Sequence, residues 1–324
     1  MKDNKIQFET LLQQIASLLT LAAETKDPAM YLFTNDLRTP LFYLEGLSRI
    51  YAATGPQKKT FKKLLQKFKL LEDMLGSIDY YEDLNKKLSK KSNLPEFIKS
   101  HFLVPGKNAV SDLNEVLTHF DWLNGKQLEE IQQDLADVKW KDAKEEHKRL
   151  KQFYEDEITK ITTFANNGDP SFSDMEDGIH ELRRKLRWLS IYAHALQGAI
   201  QLVEIEKERS SLDSYLSDTV LNSPFNKLRE VPDDTIPLLL SKYNFYALSW
   251  IIGRLGELKD EGLIMLSLAQ AFSQTYLIQN EEEALQKATE ALGENTTPLA
   301  ELLAEGNKIT RQFFKDKVLK HLLV

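Results

Sequence analysis

Apolar residues recur at spacings of three and four along nearly the whole chain and seldom at two, which predicts an almost entirely helical protein. Phe8, Leu11, Leu12, Ile15, Leu18 and Leu19 mark a first helix. A second is expected from about Ala29 to Ala53, with a kink or a late start at Pro40, because proline lacks the N–H that a helix interior needs. Thr54-Gly55-Pro56 closes it. A third runs from Lys58 toward Lys90 and carries Phe61, Leu64, Leu65, Phe68, Leu71, Leu75 and Ile78. Shorter helices follow over 93–125, with breaks expected at Pro95, Pro105-Gly106 and Asn124-Gly125. A long charged helix is expected from about Lys126 to Ala165, although its apolar stripe fades through Lys139–Arg149.

Asn166-Asn167-Gly168-Asp169-Pro170 is the clearest break in the chain. Ser173 and Glu176 then stand at capping-box spacing. Beyond them apolar residues fall at 179, 182, 186, 189, 193, 196, 200 and 203, the alternation of a bundle-packing helix. Residues 210–237 read as irregular, with Pro224, Pro232 and Pro237, and helices resume at about Leu238–Ala271, Glu281–Leu292 and Asn307–Leu322. A weak internal repeat accompanies this layout. Asn35-Asp36-Leu37-Arg38 resembles His180-Glu181-Leu182-Arg183, and Met74-Leu75-Gly76-Ser77-Ile78 resembles Arg254-Leu255-Gly256-Glu257-Leu258, in the same order, with Asp79 and Asp260 following. The expected organisation is all-α, as two helical bundles over 1–167 and 168–324.

Composition removes several function classes. No run among the 324 residues approaches the roughly 20 apolar residues of a membrane span, and no secretory leader is expected. Cysteine is absent, which excludes disulfides, thiol nucleophiles and Cys-ligated metals and agrees with a cytoplasmic protein. A formal net charge of −7 disfavours nucleic-acid binding by bulk charge. There is no Walker A loop, no G-x-G-x-x-G, no H-E-x-x-H and no G-x-S-x-G, so no cofactor or metal is expected. Glu176 and His180 stand one turn apart, but a metal needs further ligands that the sequence does not supply.

One local feature runs against the acidic average. With His180 at zero and about 100° per residue, Arg183, Arg184, Arg187 and His194 fall on one arc roughly 100° wide, beside the Leu182/Leu186/Leu189 stripe. Arginine presents a planar fork suited to phosphate oxygens, and the arc spans roughly 21 Å, a length that fits an extended polyanion. Arg38 and Arg49 form a thinner version in the first half, which the lysines at 58, 59, 62, 63, 67 and 69 could supplement. The competing reading is that these cations pair with glutamates on neighbouring helices and that the lysines form a solvated face. Pattern alone leaves both open.

Ile179-His180-Glu181-Leu182-Arg183-Arg184-Lys185-Leu186-Arg187 resembles the opening motif of the conserved histidine α-helical (CHAD) domain, in which a His is followed three residues on by an Arg and then by further basic residues. Leu255-Gly256-Glu257-Leu258-Lys259-Asp260 is similar to that family's later Leu-Gly-x-x-x-Asp element, and Leu75-Gly76-Ser77-Ile78-Asp79 is a looser copy. The resemblance implies two pseudo-symmetric helical bundles with a basic channel, binding of inorganic polyphosphate, and no catalysis by the domain itself. It carries that role to His180, Arg183, Arg184 and Arg187, and in the first half to Arg38. Asn35 stands where the first copy would have its His, and Thr39, Phe42 and Glu45 follow Arg38 where basic residues would stand.

The expectation is therefore a non-enzymatic binder of polyphosphate or a related polyanion, through His180, Arg183, Arg184, Arg187, Arg38, Arg49 and His194. The alternative is a helical scaffold that binds a partner protein and has lost anion binding. A metal-assisted polyphosphate hydrolase would need a carboxylate cluster that the sequence does not display.

Overall fold

The computed structural model describes residues 3–140, 143–231 and 236–324. It is all-α apart from one short strand pair, and it divides into two compact units, Met1–Asp142 and Ala143–Val324. Among the described residues no helix is long and apolar enough to cross a membrane.

The first unit contains α1 (Asp3–Ala23), α2 (Pro28–Thr34), α3 (Arg38–Thr54), α4 (Lys58–Ser89), α5 (Glu96–His101), α6 (Leu103–His119) and α7 (Lys126–Ala136). Pro40 and Pro105 each fall at the third residue of a helix, α3 and α6. First-turn amides have no intrahelical acceptor, so the missing N–H costs nothing there. The late start expected at Pro40 is what occurs, whereas the break expected at Pro105-Gly106 is instead the opening of α6. Asp27 caps α2, accepting the Met30 amide at 3.1 Å, and Asn114 of α6 donates to the same carboxylate at 2.9 Å. The long α3–α4 pair forms the body of the unit. Phe8, Tyr51, Phe61 and Trp140 close one end of the core, with ring centroids 5.0–6.1 Å apart.

The second unit contains α8 (Ala143–Phe164), α9 (Glu181–Ala195), β1 (Ile200–Val203), α10 (Glu206–Ser211), α11 (Asp218–Leu221), β2 (Leu238–Ser241), α12 (Lys242–Tyr276), α13 (Glu281–Leu292) and α14 (Leu299–Lys315). A π-helical turn, Met175–His180, leads directly into α9. It is capped by Asp174, which accepts the Asp177 amide at 2.6 Å, and not by Ser173 as the capping-box spacing predicts. The 35-residue α12 is the spine, with the π-turn, α9, α13 and α14 packed around it. Ser241 caps its N-terminus and also donates to Glu208, which accepts Asn244 Nδ2 at 2.8 Å.

Several expectations are corrected. The helix expected over 126–165 is two, α7 and α8; residues 141–142 lie outside the described ones, as does Pro232. The unit boundary precedes α8 instead of following it at 167/168. The reason is packing: α8 lies against α9, and Tyr154, fully buried, donates to the Leu189 carbonyl at 3.1 Å. The helix read through 203 stops at Ala195. Gly198 takes a positive φ of 83°, and β1 then pairs in parallel with β2, Ile200 opposite Leu238. Leu238–Ser241 is thus strand rather than the start of a helix, and the chain's last residues bond to its other edge through Ser241 N–Leu322 O (2.9 Å) and Val324 N–Leu239 O (3.2 Å).

Candidate anion-binding site

The basic arc lies on the π-turn and α9. His180 ends the π-turn, and its Nδ1 is 3.0 Å from Glu176 Oε1, which orients the ring. Arg184, on the exposed side of α9 with its side chain 61% accessible, is 2.5 Å from Glu181 Oε2. Such a surface pair contributes only about 0–1 kcal/mol, so it does not tie the guanidinium down. Arg187 is half-buried one turn further on. His194, in the last turn, points its Nε2 at the Phe225 carbonyl, 2.9 Å away. A carbonyl can only accept, so that nitrogen carries the proton and is engaged within the unit.

Arg183 differs from all of these. It leaves α9 on the side that meets α12, and its Nε donates to the Ile252 carbonyl at 3.1 Å. Its guanidinium lies flat over Gly256, where a methyl group would sit 2.9 Å from Nε and 3.3 Å from Nη2. Burial lowers its pKa from the ordinary arginine value, and the field of Asp260 partly offsets that. Asp260 itself is paired to Lys259 at 2.6 Å. Among the described residues, Nη1 and Nη2 of Arg183 make no hydrogen bond. A half-buried cation with its terminal donors unmet is costly to maintain.

The first unit contains the same seat, closed. Arg38 opens α3 and lies over Gly76 of α4, where a methyl group would sit 2.6 Å from Nη2. Here two carboxylates hold the arginine: Nε donates to Glu72 at 2.8 Å and Nη1 to Asp79 at 2.7 Å. Glu72 stands four residues before Gly76, as Ile252 does before Gly256. In one unit the arginine Nε therefore meets a side-chain carboxylate, and in the other a backbone carbonyl. Arg49 is likewise engaged, with Nε and Nη2 2.9 and 2.6 Å from Glu45 Oε1. Of the lysines, Lys63 pairs with Asp134, Lys67 with Glu130 and Lys69 with Asp73.

The sequence pattern brings His180, Arg183, Arg184 and Arg187 onto one helix, and the structure keeps them there. It attaches His194 to the 212–226 segment, pairs Arg49 with Glu45 one turn before it on α3, and brings to Arg38 two α4 acids that no local spacing announces. Glu72 is the residue that sequence reasoning missed, and Asp79, noted there only as part of the repeat, is the second partner of Arg38. The repeated Leu-Gly pairs were the signal pointing to the seats, since each glycine is the floor of one.

Charge is divided unevenly. The first unit holds 20 basic and 20 acidic residues, so the net −7 lies on the second, with 22 against 29. Among the described residues no group of three or more His, Asp or Glu is placed to hold a metal ion. Comparison with protein-family models, curated proteins and solved structures gives no match.

Proposed function

We propose that the chain is a non-enzymatic, cytoplasmic, CHAD-like protein that binds inorganic polyphosphate, or a polyanion of the same chemistry, on its second unit. The observation that carries this is Arg183. Its guanidinium is desolvated, has no carboxylate bonded to it, and keeps both terminal nitrogens available, so an anionic oxygen is the partner it lacks. Arg184 and Arg187 extend the contact along α9, and His180, held by Glu176, stands at its start. The first unit does not contribute at neutral pH, because Glu72, Asp79 and Glu45 already occupy Arg38 and Arg49. The arginine-over-glycine seat found in each unit supports descent from an internal repeat.

Binding of long-chain polyphosphate across a salt series tests the reading. Affinity falls as salt rises, through counterion release. Arg183→Gln/Arg187→Gln weakens binding by at least about tenfold, the loss of one or more charge-assisted contacts of roughly 1.5–3 kcal/mol each. Lys59→Gln, on the exposed first turn of α4, leaves it unchanged. No binding at low salt refutes the proposal and moves the function to a helical scaffold for a partner protein. That second reading is favoured by the acidity of the second unit and by the internal pairing of Arg38, Arg49 and His180.

A further inference from the structure

One end of the first unit is built differently from its middle. Arg38, the first residue of α3, bonds to Glu72 and Asp79, so the last turns of α4, residues 80–89, run on beyond α3 for roughly 15 Å. There α5 and the start of α6 cover α4 instead. Asn85 Nδ2 lies 3.5 Å from the Phe102 carbonyl, and a methyl group at Gly106 would stand 3.2 Å from Tyr81 Cβ. Leu84, Leu88, Leu94, Ile98 and Phe102 are buried and form a small core at this end. That core leaves out Phe97, Leu103 and Val104, which are 48%, 47% and 62% exposed. A single exposed apolar side chain is ordinary, but three within eight residues form a patch.

The same stretch is basic. Between residues 86 and 107 stand six lysines and one acid, Glu96, in a unit where 20 bases meet 20 acids. Lys86, Lys90, Lys91 and Lys107 are exposed. Lys87 pairs with Asp83 and Lys99 with Glu96, on carboxylates that are themselves exposed. Surface pairs of this kind are weak, and they leave the local field positive. The lysine run at 58–69 differs, because α7 answers it with Glu130 and Asp134.

We propose that this end of the first unit docks on an anionic lipid surface, with Phe97, Leu103 and Val104 entering the headgroup boundary and the lysines lying against the headgroups. Charge complementarity selects the occupant. A soluble polyanion answers the lysines but has no use for the apolar side chains, and a neutral bilayer answers the apolar side chains alone. An anionic bilayer surface answers both, and lysine stems can lie along its apolar boundary while their ammonium groups stay at headgroup level. Such docking needs no spanning helix. It suits the proposed cytoplasmic location, because the cytoplasmic leaflet carries negative surface charge. The surface lies on the first unit and stands or falls independently of anion binding by the second.

The test is cosedimentation of the full chain with vesicles of equimolar phosphatidylcholine and phosphatidylserine, against vesicles of phosphatidylcholine alone. Binding to the anionic vesicles only is expected, and it weakens as salt rises. Lys86→Gln/Lys90→Gln weakens it by about tenfold or more, at roughly fivefold per lysine near the surface. Phe97→Gln/Val104→Gln weakens it by about tenfold or more through lost apolar burial. All four side chains are exposed, so both variants keep the fold by circular dichroism. Arg183→Gln/Arg187→Gln leaves vesicle binding unchanged. The chain has no cysteine, so Val104→Cys carries a single polarity-sensitive fluorophore, whose emission moves to the blue on anionic vesicles. The same label at Ser211→Cys, exposed on α10 of the second unit, does not move. No binding at low salt overturns the proposal, as does binding that either first-unit variant leaves intact or that Arg183→Gln/Arg187→Gln abolishes. A label at 104 that answers polyphosphate or polyglutamate but not the vesicles assigns the surface to a soluble anion, and that also overturns it.

Discussion

Replacing Gly76 by alanine separates the arginine seat from ordinary helix chemistry. Within a helix this change alone stabilises by about 1 kcal/mol, because alanine loses less backbone freedom. At Gly76 the new methyl carbon would stand 2.6 Å from Arg38 Nη2 and 3.2 Å from Cζ, so the guanidinium must retreat. It is held by Glu72 and Asp79 at 2.8 and 2.7 Å and cannot retreat without stretching those bonds. Weakening the bond to Glu72 costs about 1.5–3 kcal/mol, and breaking it outright, with a carboxylate left buried, about 3–5. The net expectation is a destabilisation of about 0.5–4 kcal/mol. Gly253 of α12 is the control: nothing lies within 4 Å of its added carbon, so Gly253→Ala gains up to about 1 kcal/mol. Urea unfolding gives the magnitudes, and hydrogen exchange of the α4 amides assigns the Gly76 effect to the first unit, since two units need not melt together. The cost of Gly76→Ala should vanish in an Arg38→Ala background. A Gly76→Ala protein as stable as the wild type would refute the seat as an energetic feature.

Three further outcomes follow from named contacts. Glu45 has a folded-state pKa raised above its unfolded value, so its contribution to stability is complete below the unfolded value and is lost as pH rises through the folded one. Glu45→Gln therefore gains thermal stability over the wild type as pH rises above the ordinary glutamate value, and melting curves across a pH series check the sign. Asn307 of α14 clamps Phe172 through both its backbone N–H and its carbonyl, at 2.8 Å each; Asn307→Ala leaves both unpaired and costs about 2–4 kcal/mol in urea unfolding. Tyr154→Phe removes the buried hydroxyl that serves the Leu189 carbonyl, and a loss of about 1 kcal/mol is expected with the fold intact by circular dichroism.

Where local periodicity was strong, the helices fell where it placed them. The α4 stripe is an example, since Phe61, Leu64, Phe68, Leu71, Leu75 and Ile78 are all buried at helical spacing. It misled where a short apolar run suits either element: Ile200 and Val203 continue the α9 stripe in sequence, yet become strand once Gly198 turns the chain toward β2. It also misled at 137–140. Trp140 completes an aromatic cluster with Phe8, Tyr51 and Phe61, and so ends the helix that the charged pattern would have carried through.

The sequence by itself determined an all-α chain, the stretches of α1, α3 and α4, a cluster of basic residues opening one helix, and a Leu-Gly pair in each half. Those properties are local, written in residue type and spacing. Which arginine meets carboxylates and which a backbone carbonyl was decided by tertiary structure alone. Arg38 meets Glu72 and Asp79, 34 and 41 residues away, while Arg183 meets a backbone carbonyl 69 residues away. An ion pair depends on distance in space, and only the packing of α3 on α4 and of α9 on α12 sets that distance.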